Sequence, residues 1–250
     1  MPGPEASPFP KMLALEHDTV DLVDIDLTIG AATCRGLLSR EERARAARFR
    51  DPRHRERFVV GRASLRLVLG TVLQLWPGEV EIQRGANGKP HLAAAHGSQV
   101  RFNISHSGER ALLALTVARE VGVDLERSRG NLDVLDIARR FFAPGESAAL
   151  EALPAEERTE AFFRCWTFKE SYLKARGEGL LARLDAFEVA LSSRAARVLW
   201  STLDPADVDR WWLLPLDPGA GYQGALAVEG PPPALRRWSA PGALRQAFVT

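Results

Sequence analysis

Hydrophobic positions along the chain change period several times, and each change predicts a change of element. "TVDLVDIDL" (19–27) alternates apolar and polar residues, as a half-buried strand does. Ser39 and Glu42 then have the spacing of a capping box at the head of a short arginine-rich helix that runs to Phe49. Asp51 and Pro52 open a second helix, whose apolar stripe is Phe58, Leu65, Leu69, Val72 and Leu73. Arg55, Arg62 and Arg66 share another face of that helix, which reads either as a solvated face or as an anion-binding wall. In "EVEIQRGANGKPHL" (79–92), Asn87-Gly88 predicts a hairpin with a two-residue turn and Lys89 beside its tip. "VRFNIS", "ALLALTVA" and "VGVDLE" follow as three short strand-like runs, expected to form an antiparallel meander.

Beyond residue 130 the period turns helical. "LDVLDIARRFF", "GESAALEAL" and the stretch from Ala155 to Ala175 are expected helices, set apart by Pro144 and Pro154, with Gly177 as a C-cap. Strands return with "FEVALS", "ARVLWS", "RWWLLPL" and "YQGALAV". This order lacks the regular βαβ alternation of a parallel sheet and predicts an α+β fold in two similar halves that meet near residues 118–122. The expected division is 1–120 for the N-terminal half, 121–230 for the C-terminal half and 231–250 for a tail whose place the sequence leaves open.

Composition narrows the function classes. In 250 residues, 33 basic side chains nearly cancel 32 acidic ones, so nothing points to nucleic acid as a partner. The two cysteines form no CxxC pair and the five histidines no HExxH, which argues against a zinc site. No apolar run is long enough to span a bilayer, and the N-terminus has no apolar signal core, so a soluble cytoplasmic protein without a membrane partner is expected.

The candidate chemistry lies in three stretches. Asp124 and Glu126 in "GVDLE" are at i and i+2 of a strand, so both carboxylates project from one face. A hard cation held by oxygens, such as magnesium, would suit the space between them. In "CWTFKESYLKARGEGL" (165–180), Glu170 and Lys174 share a helical face, and Trp166 lies one turn earlier on the same side. An isolated pair of that kind is ordinarily a surface ion pair, but the aromatic neighbour argues for a partly buried cleft. "FNISHSGER" gathers Asn103, Ser105, His106 and Ser107 at a strand end, where hydroxyls, an imidazole and glycine-exposed amides can surround an anion. Adjacent serine and histidine without a GxSxG elbow argue against a Ser-His-Asp hydrolase.

Together, "FNISHSG", "VGVDLE" and "CWTFKESYLKARGEGL" in this order and spacing resemble the Sfp-type phosphopantetheinyl transferases, with "RFRDPRHRERFVVGRASLRLVLG" and "NGKPHL" extending the likeness over about residues 40–192. The resemblance implies a pseudo-twofold pair of α+β halves with coenzyme A in the cleft between them. It implies transfer of the 4′-phosphopantetheine arm from coenzyme A to a serine of an apo acyl- or peptidyl-carrier protein, with release of adenosine 3′,5′-bisphosphate. Asp124, Glu126 and Glu170 match the magnesium-binding acids, and Lys174 the lysine at the pyrophosphate. Glu170 is the candidate base, acting directly or through a metal-bound water. Lys89, Ser105 and His106 match residues that contact the coenzyme, while Arg45, Arg57 and Arg62 are candidates for its 3′-phosphate. Phe58 stands where the family has a small hydroxyl residue. A cleft supplied within one chain implies a monomer. A magnesium-dependent diphosphatase and a non-catalytic coenzyme-binding protein are the competing readings.

Overall fold

A computed structural model of the chain describes residues 15–31, 34–128, 130, 132–179, 183–190 and 196–239. The N-terminal lead, the last residues of "FEVALS" and the end of the C-terminal tail lie outside the described residues. The first half runs β1 (Thr19–Asp26), α1 (Arg40–Ala47), α2 (Pro52–Leu73), β2 (Ile82–Arg84), β3 (Pro90–Leu92), β4 (Val100–Ser107) and β5 (Arg110–Val117). The second runs β6 (Val121–Arg127), α3 (Val134–Phe141), α4 (Pro144–Glu151), α5 (Ala155–Arg176), β7 (Phe187–Val189), β8 (Val198–Ser201), α6 (Asp207–Arg210), β9 (Trp211–Leu216) and β10 (Tyr222–Glu229). Last comes β11 (Ala234–Ser239).

Strand order makes the duplication visible. The first half orders its strands β1-β5-β4 and the second β6-β10-β9, so in each the last strand is the middle one. Each half also has a 22-residue helix, α2 or α5, and a small separate hairpin, β2-β3 or β7-β8. The fold is α+β in two pseudo-symmetric halves. β11, from the segment read as a tail, adds to the first sheet parallel to β1, where Arg236 pairs with Asp21 and Arg237 with Asp24.

Alternation along the strands assigns the cores. In β1, Val23 and Ile25 pack in the α1/α2 core, while Val20 and Leu22 join Leu112, Ala114, Val121, Val123, Leu125, Leu226 and Val228 in a core shared by both sheets. A third core gathers α5, with Phe162, Phe168 and Tyr172, against Ala225 and Ala227 of β10. β5 and β10 are buried on both faces, which is why "ALLALTV" and "GALAV" are continuously apolar rather than alternating.

Three expectations need correction. The meander ends after two strands: β4 and β5 pair, but β6 leaves for the second sheet. Period-2 patterning identifies a strand without saying which sheet it joins. At the first hairpin, the Gly88 amide donates to the Gly85 carbonyl and the Gly85 amide to that of Lys89. The turn therefore centres on Ala86-Asn87 with Gly88 at φ 85°, a three-residue loop closed by a left-handed glycine. Arg62 and Arg66, finally, form no solvated face. Arg66 is 4% exposed and donates to Glu42 at 2.6 Å, with Arg62 on the other oxygen of the same carboxylate. Glu42 also completes the capping box of α1, so one carboxylate ties both helices together.

Candidate active site

The site is built where α5 crosses β6. Gly122, Asp124 and Glu126 project from the face opposite Val121, Val123 and Leu125, toward α5. At Gly122 the helix backbone lies directly on the strand: a β-carbon there would stand 2.9 Å from Ala175 Cα and nearer still to the Ser171 carbonyl oxygen and the Ala175 nitrogen. This close approach is what the strand glycine permits. It brings Lys174 onto Asp124, with Glu170 one turn earlier on the same helical face.

Asp124 is 2% exposed. Its Oδ1 accepts from Lys174 Nζ at 2.5 Å and from Ser105 Oγ at 3.0 Å, whereas Oδ2 is buried without a hydrogen-bond partner. Such an orphaned carboxylate oxygen is costly and calls for an explanation. Glu126 accepts from Ser107 Oγ at 2.9 Å. The carboxyl of Glu170 is held above its ordinary value by burial first, then by repulsion from Asp124 and Glu126, against the pull of Lys174. The three acids therefore share one electrostatic neighbourhood. Among the described residues, no three His, Cys, Asp or Glu side chains are placed to hold a metal ion between them.

Trp166, Glu170, Leu173 and Lys174 line a cavity of about 840 Å³ together with the β2-β3 hairpin, Asn103 and Ile104 of β4, and Arg140 and Phe141 of α3. The cleft inferred from an aromatic residue beside an acid is present. A second cavity, about 910 Å³, is lined by Asp24, Arg110, Tyr222 and Arg237 and reaches Leu125 of β6 but none of the three acids.

The remaining candidates fall into two groups. His106 lies near Lys174 and Arg45; desolvation and those two cations push its imidazole below its ordinary value, against the pull of Asp124. Arg45 lies over the Phe58 ring at 5.2 Å, and Phe58 packs against Phe49, so an aromatic pair with a cation stands where the resemblance implies a small hydroxyl. The other group has internal partners. Lys89 Nζ donates to Glu120 and to the Ala175 carbonyl, both at 2.6 Å, and Asn87 donates to the Gly177 carbonyl. The hairpin tip thus clasps the C-terminal end of α5. Arg57 pairs with Glu109 and Arg62 with Glu42.

Sequence reasoning missed Lys169. It is fully buried, donates to both oxygens of Glu146 at 2.6 and 2.7 Å and to the Phe187 carbonyl, and lies 4.1 Å from the Phe187 ring centre. The two lysines of "KESYLK" thus point to different places, one into the core and one to the site. The helical spacing Cys165, Lys169, Tyr172 put Lys169 on the apolar face and was the available signal.

Two family models match successive stretches of the chain. Residues 31–118 match the family model described as 4′-phosphopantetheinyl transferase, N-terminal, and residues 120–227 match the 4′-phosphopantetheinyl transferase superfamily. The 4′-phosphopantetheinyl transferase Sfp of Bacillus subtilis is 34% identical over 62% of this chain and 66% of its own. The 4′-phosphopantetheinyl transferase HetI of a Nostoc species is 41% identical over 89% of this chain and 93% of its own. With likeness of that extent, the chain belongs to the Sfp-type 4′-phosphopantetheinyl transferase family and is an enzyme of that class.

Proposed function

We propose that this enzyme takes the 4′-phosphopantetheine arm from coenzyme A, delivers it to a serine of an apo acyl- or peptidyl-carrier protein and releases adenosine 3′,5′-bisphosphate, with a magnesium ion that Asp124, Glu126 and Glu170 would hold once their carboxylates, not gathered around one point in this structure, close on it. The observation that carries this reading is Asp124, buried beside Glu170 with one oxygen satisfied by Lys174 and Ser105 and the other unpartnered. An all-oxygen carboxylate set fits a hard divalent cation. When bound, magnesium supplies neutralisation of the diphosphate and stabilisation of the leaving bisphosphate.

The chain's own groups do the rest. Lys174 carries a fixed positive charge that can pass from Asp124 to a phosphate oxygen. His106, disfavoured as an imidazolium, is suited to meet the coenzyme as a neutral hydrogen-bonding ring. Glu170, whose carboxyl burial and the neighbouring acids hold above its ordinary value, is assigned the serine proton, taken directly or through a water. The attacking serine belongs to the carrier. Arg43, Arg45, Arg48, Arg50 and Arg53 are exposed and give an acidic carrier a basic surface to approach. Both cysteines are buried, and no helix among the described residues is long and apolar enough to cross a membrane. We read it as a cytoplasmic monomer because one chain lines the cleft from both of its halves.

The test is mass spectrometry of an apo carrier incubated with the enzyme, coenzyme A and magnesium. The carrier gains one phosphopantetheine, and Asp124→Asn or Glu170→Gln largely stops the gain. Adenosine bisphosphate released equally fast without a carrier would overturn the reading in favour of a diphosphatase.

A further inference from the structure

The two sheets meet where β4, the outer strand of one, runs past β6, the outer strand of the other. Side chains of β4 take the place of a neighbouring strand for the β6 amides. Asn103 Oδ1 accepts from the Val123 amide at 2.9 Å, Ser105 Oγ from Leu125 at 3.3 Å and Ser107 Oγ from Arg127 at 3.0 Å. The contacts recur at every second residue of both strands, so they form one register. Satisfying a backbone amide requires only an acceptor, and the amide oxygen of Asn103 suffices for that.

The two serines do something more. Each donates its proton to the carboxylate one residue before the amide it accepts from: Ser105 to Asp124 Oδ1 at 3.0 Å, Ser107 to Glu126 Oε2 at 2.9 Å. A hydroxyl has a single proton, so each is committed to its acid. The correlation within the register is informative. The residue ahead of Val123 is Gly122, which has no carboxylate, and there β4 presents an asparagine; at both places where an acid precedes the amide, β4 presents a hydroxyl.

We propose that Ser107 is a positioning residue for Glu126, as Ser105 is for Asp124, and that these paired hydroxyls from the first half hold the carboxylates of the second in the orientation from which they take the divalent cation. This rests on the reading that Asp124 and Glu126 hold that cation. Groups that orient ligands in this way carry about 10- to 100-fold in metal affinity. Ser107 is the cleaner case, because Ser105 also accepts from Lys174.

The experiment is Mn²⁺ binding to the full chain in the presence of coenzyme A, followed by electron paramagnetic resonance, with melting curves on the same samples. Ser107→Ala should weaken Mn²⁺ binding by about 10-fold, and Ser107→Cys, which keeps the size but donates poorly, by a similar factor. Ser107→Thr keeps the hydroxyl and should stay within about threefold of wild type. If the alanine variant does not fold, the cysteine variant carries the test. A purely structural Ser107 would lower the melting temperature of Ser107→Ala and Ser107→Cys while both bind Mn²⁺ like wild type, which overturns the proposal. If wild type itself binds no Mn²⁺, the cation reading of the β6 acids has failed and the positioning role falls with it.

Discussion

Gly122→Ala is the most informative single perturbation, because it adds one methyl group where α5 lies on β6. The new β-carbon would stand 2.9 Å from Ala175 Cα and closer to Ser171 O and Ala175 N, against the 3.4 Å at which ordinary contact begins. All three obstacles are backbone atoms or Cα, so no side chain can turn aside, and the helix has to withdraw by about 1 Å. Overpacking of this kind costs about 1–3 kcal/mol, or roughly 2–12 °C in melting temperature for a chain of this size. Function should suffer more than stability. Glu170 and Lys174 ride on the displaced helix, and a misplacement of about 1 Å at reacting groups costs on the order of 100-fold in rate. Gly145→Ala is the control: the three atoms nearest its β-carbon all belong to the carboxylate of Glu188, the far end of a flexible side chain that can swing away at the cost of one exposed hydrogen bond from Trp200, so both melting temperature and turnover should stay near wild type. The assay is carrier-protein loading by mass spectrometry beside a thermal melt. A Gly122→Ala enzyme with wild-type turnover would refute the claim that close helix-strand approach sets the site.

Three further outcomes are expected. Glu42→Ala leaves the buried Arg66 and the half-buried Arg62 without their counter-charge and should cost about 3–5 kcal/mol in a denaturant melt. Burial pushes the Glu42 carboxyl up, but the Arg62 charge and hydrogen bonds from Arg66 and Ser39 outweigh it and hold it below its ordinary 4.5. A depressed carboxyl stabilises the fold above its unfolded value and loses that stabilisation as pH falls through its folded value, so the gap between wild type and Glu42→Ala should close only below about pH 4.5. Lys169→Met strands the buried Glu146 carboxylate and should also cost about 3–5 kcal/mol. Adding Glu146→Leu should recover only part of that loss, since the Ala143 and Val189 amides lose their acceptor. For His106, Lys174→Ala removes a cation that disfavours imidazolium, so its titration followed by NMR should move upward; an unmoved titration would place Lys174 too far away to matter.

Most elements were legible because their signals are local. The capping box at Ser39, Pro52 at the head of α2, Gly177 at φ 73° ending α5, and the alternation in β1 each depend on neighbours in sequence. So did the shared face of Asp124 and Glu126 and the cleft beside Trp166. What the sequence concealed depends on partners far along the chain. Nothing near Arg66 announces Glu42, 24 residues away, and nothing near β6 says that its edge is completed by side chains of β4 rather than by a paired strand. Gly122 was visible as a glycine inside a strand, but that it bears a helix backbone is a tertiary fact. The serines of "SHS" were assigned to an anion; their hydrogen bonds to the acids of β6 could not be read from spacing alone.

The account depends on Asp124, Glu126 and Glu170 serving one cation. Its most direct test is a crystal of the enzyme grown with Mn²⁺ and coenzyme A, examined by anomalous scattering at the manganese edge. The account predicts a single strong peak ligated by oxygens of those three side chains and of the coenzyme's diphosphate, with Asp124 Oδ2 no longer without a partner. A peak elsewhere in the molecule, or a bound coenzyme with no peak beside these acids, would contradict it.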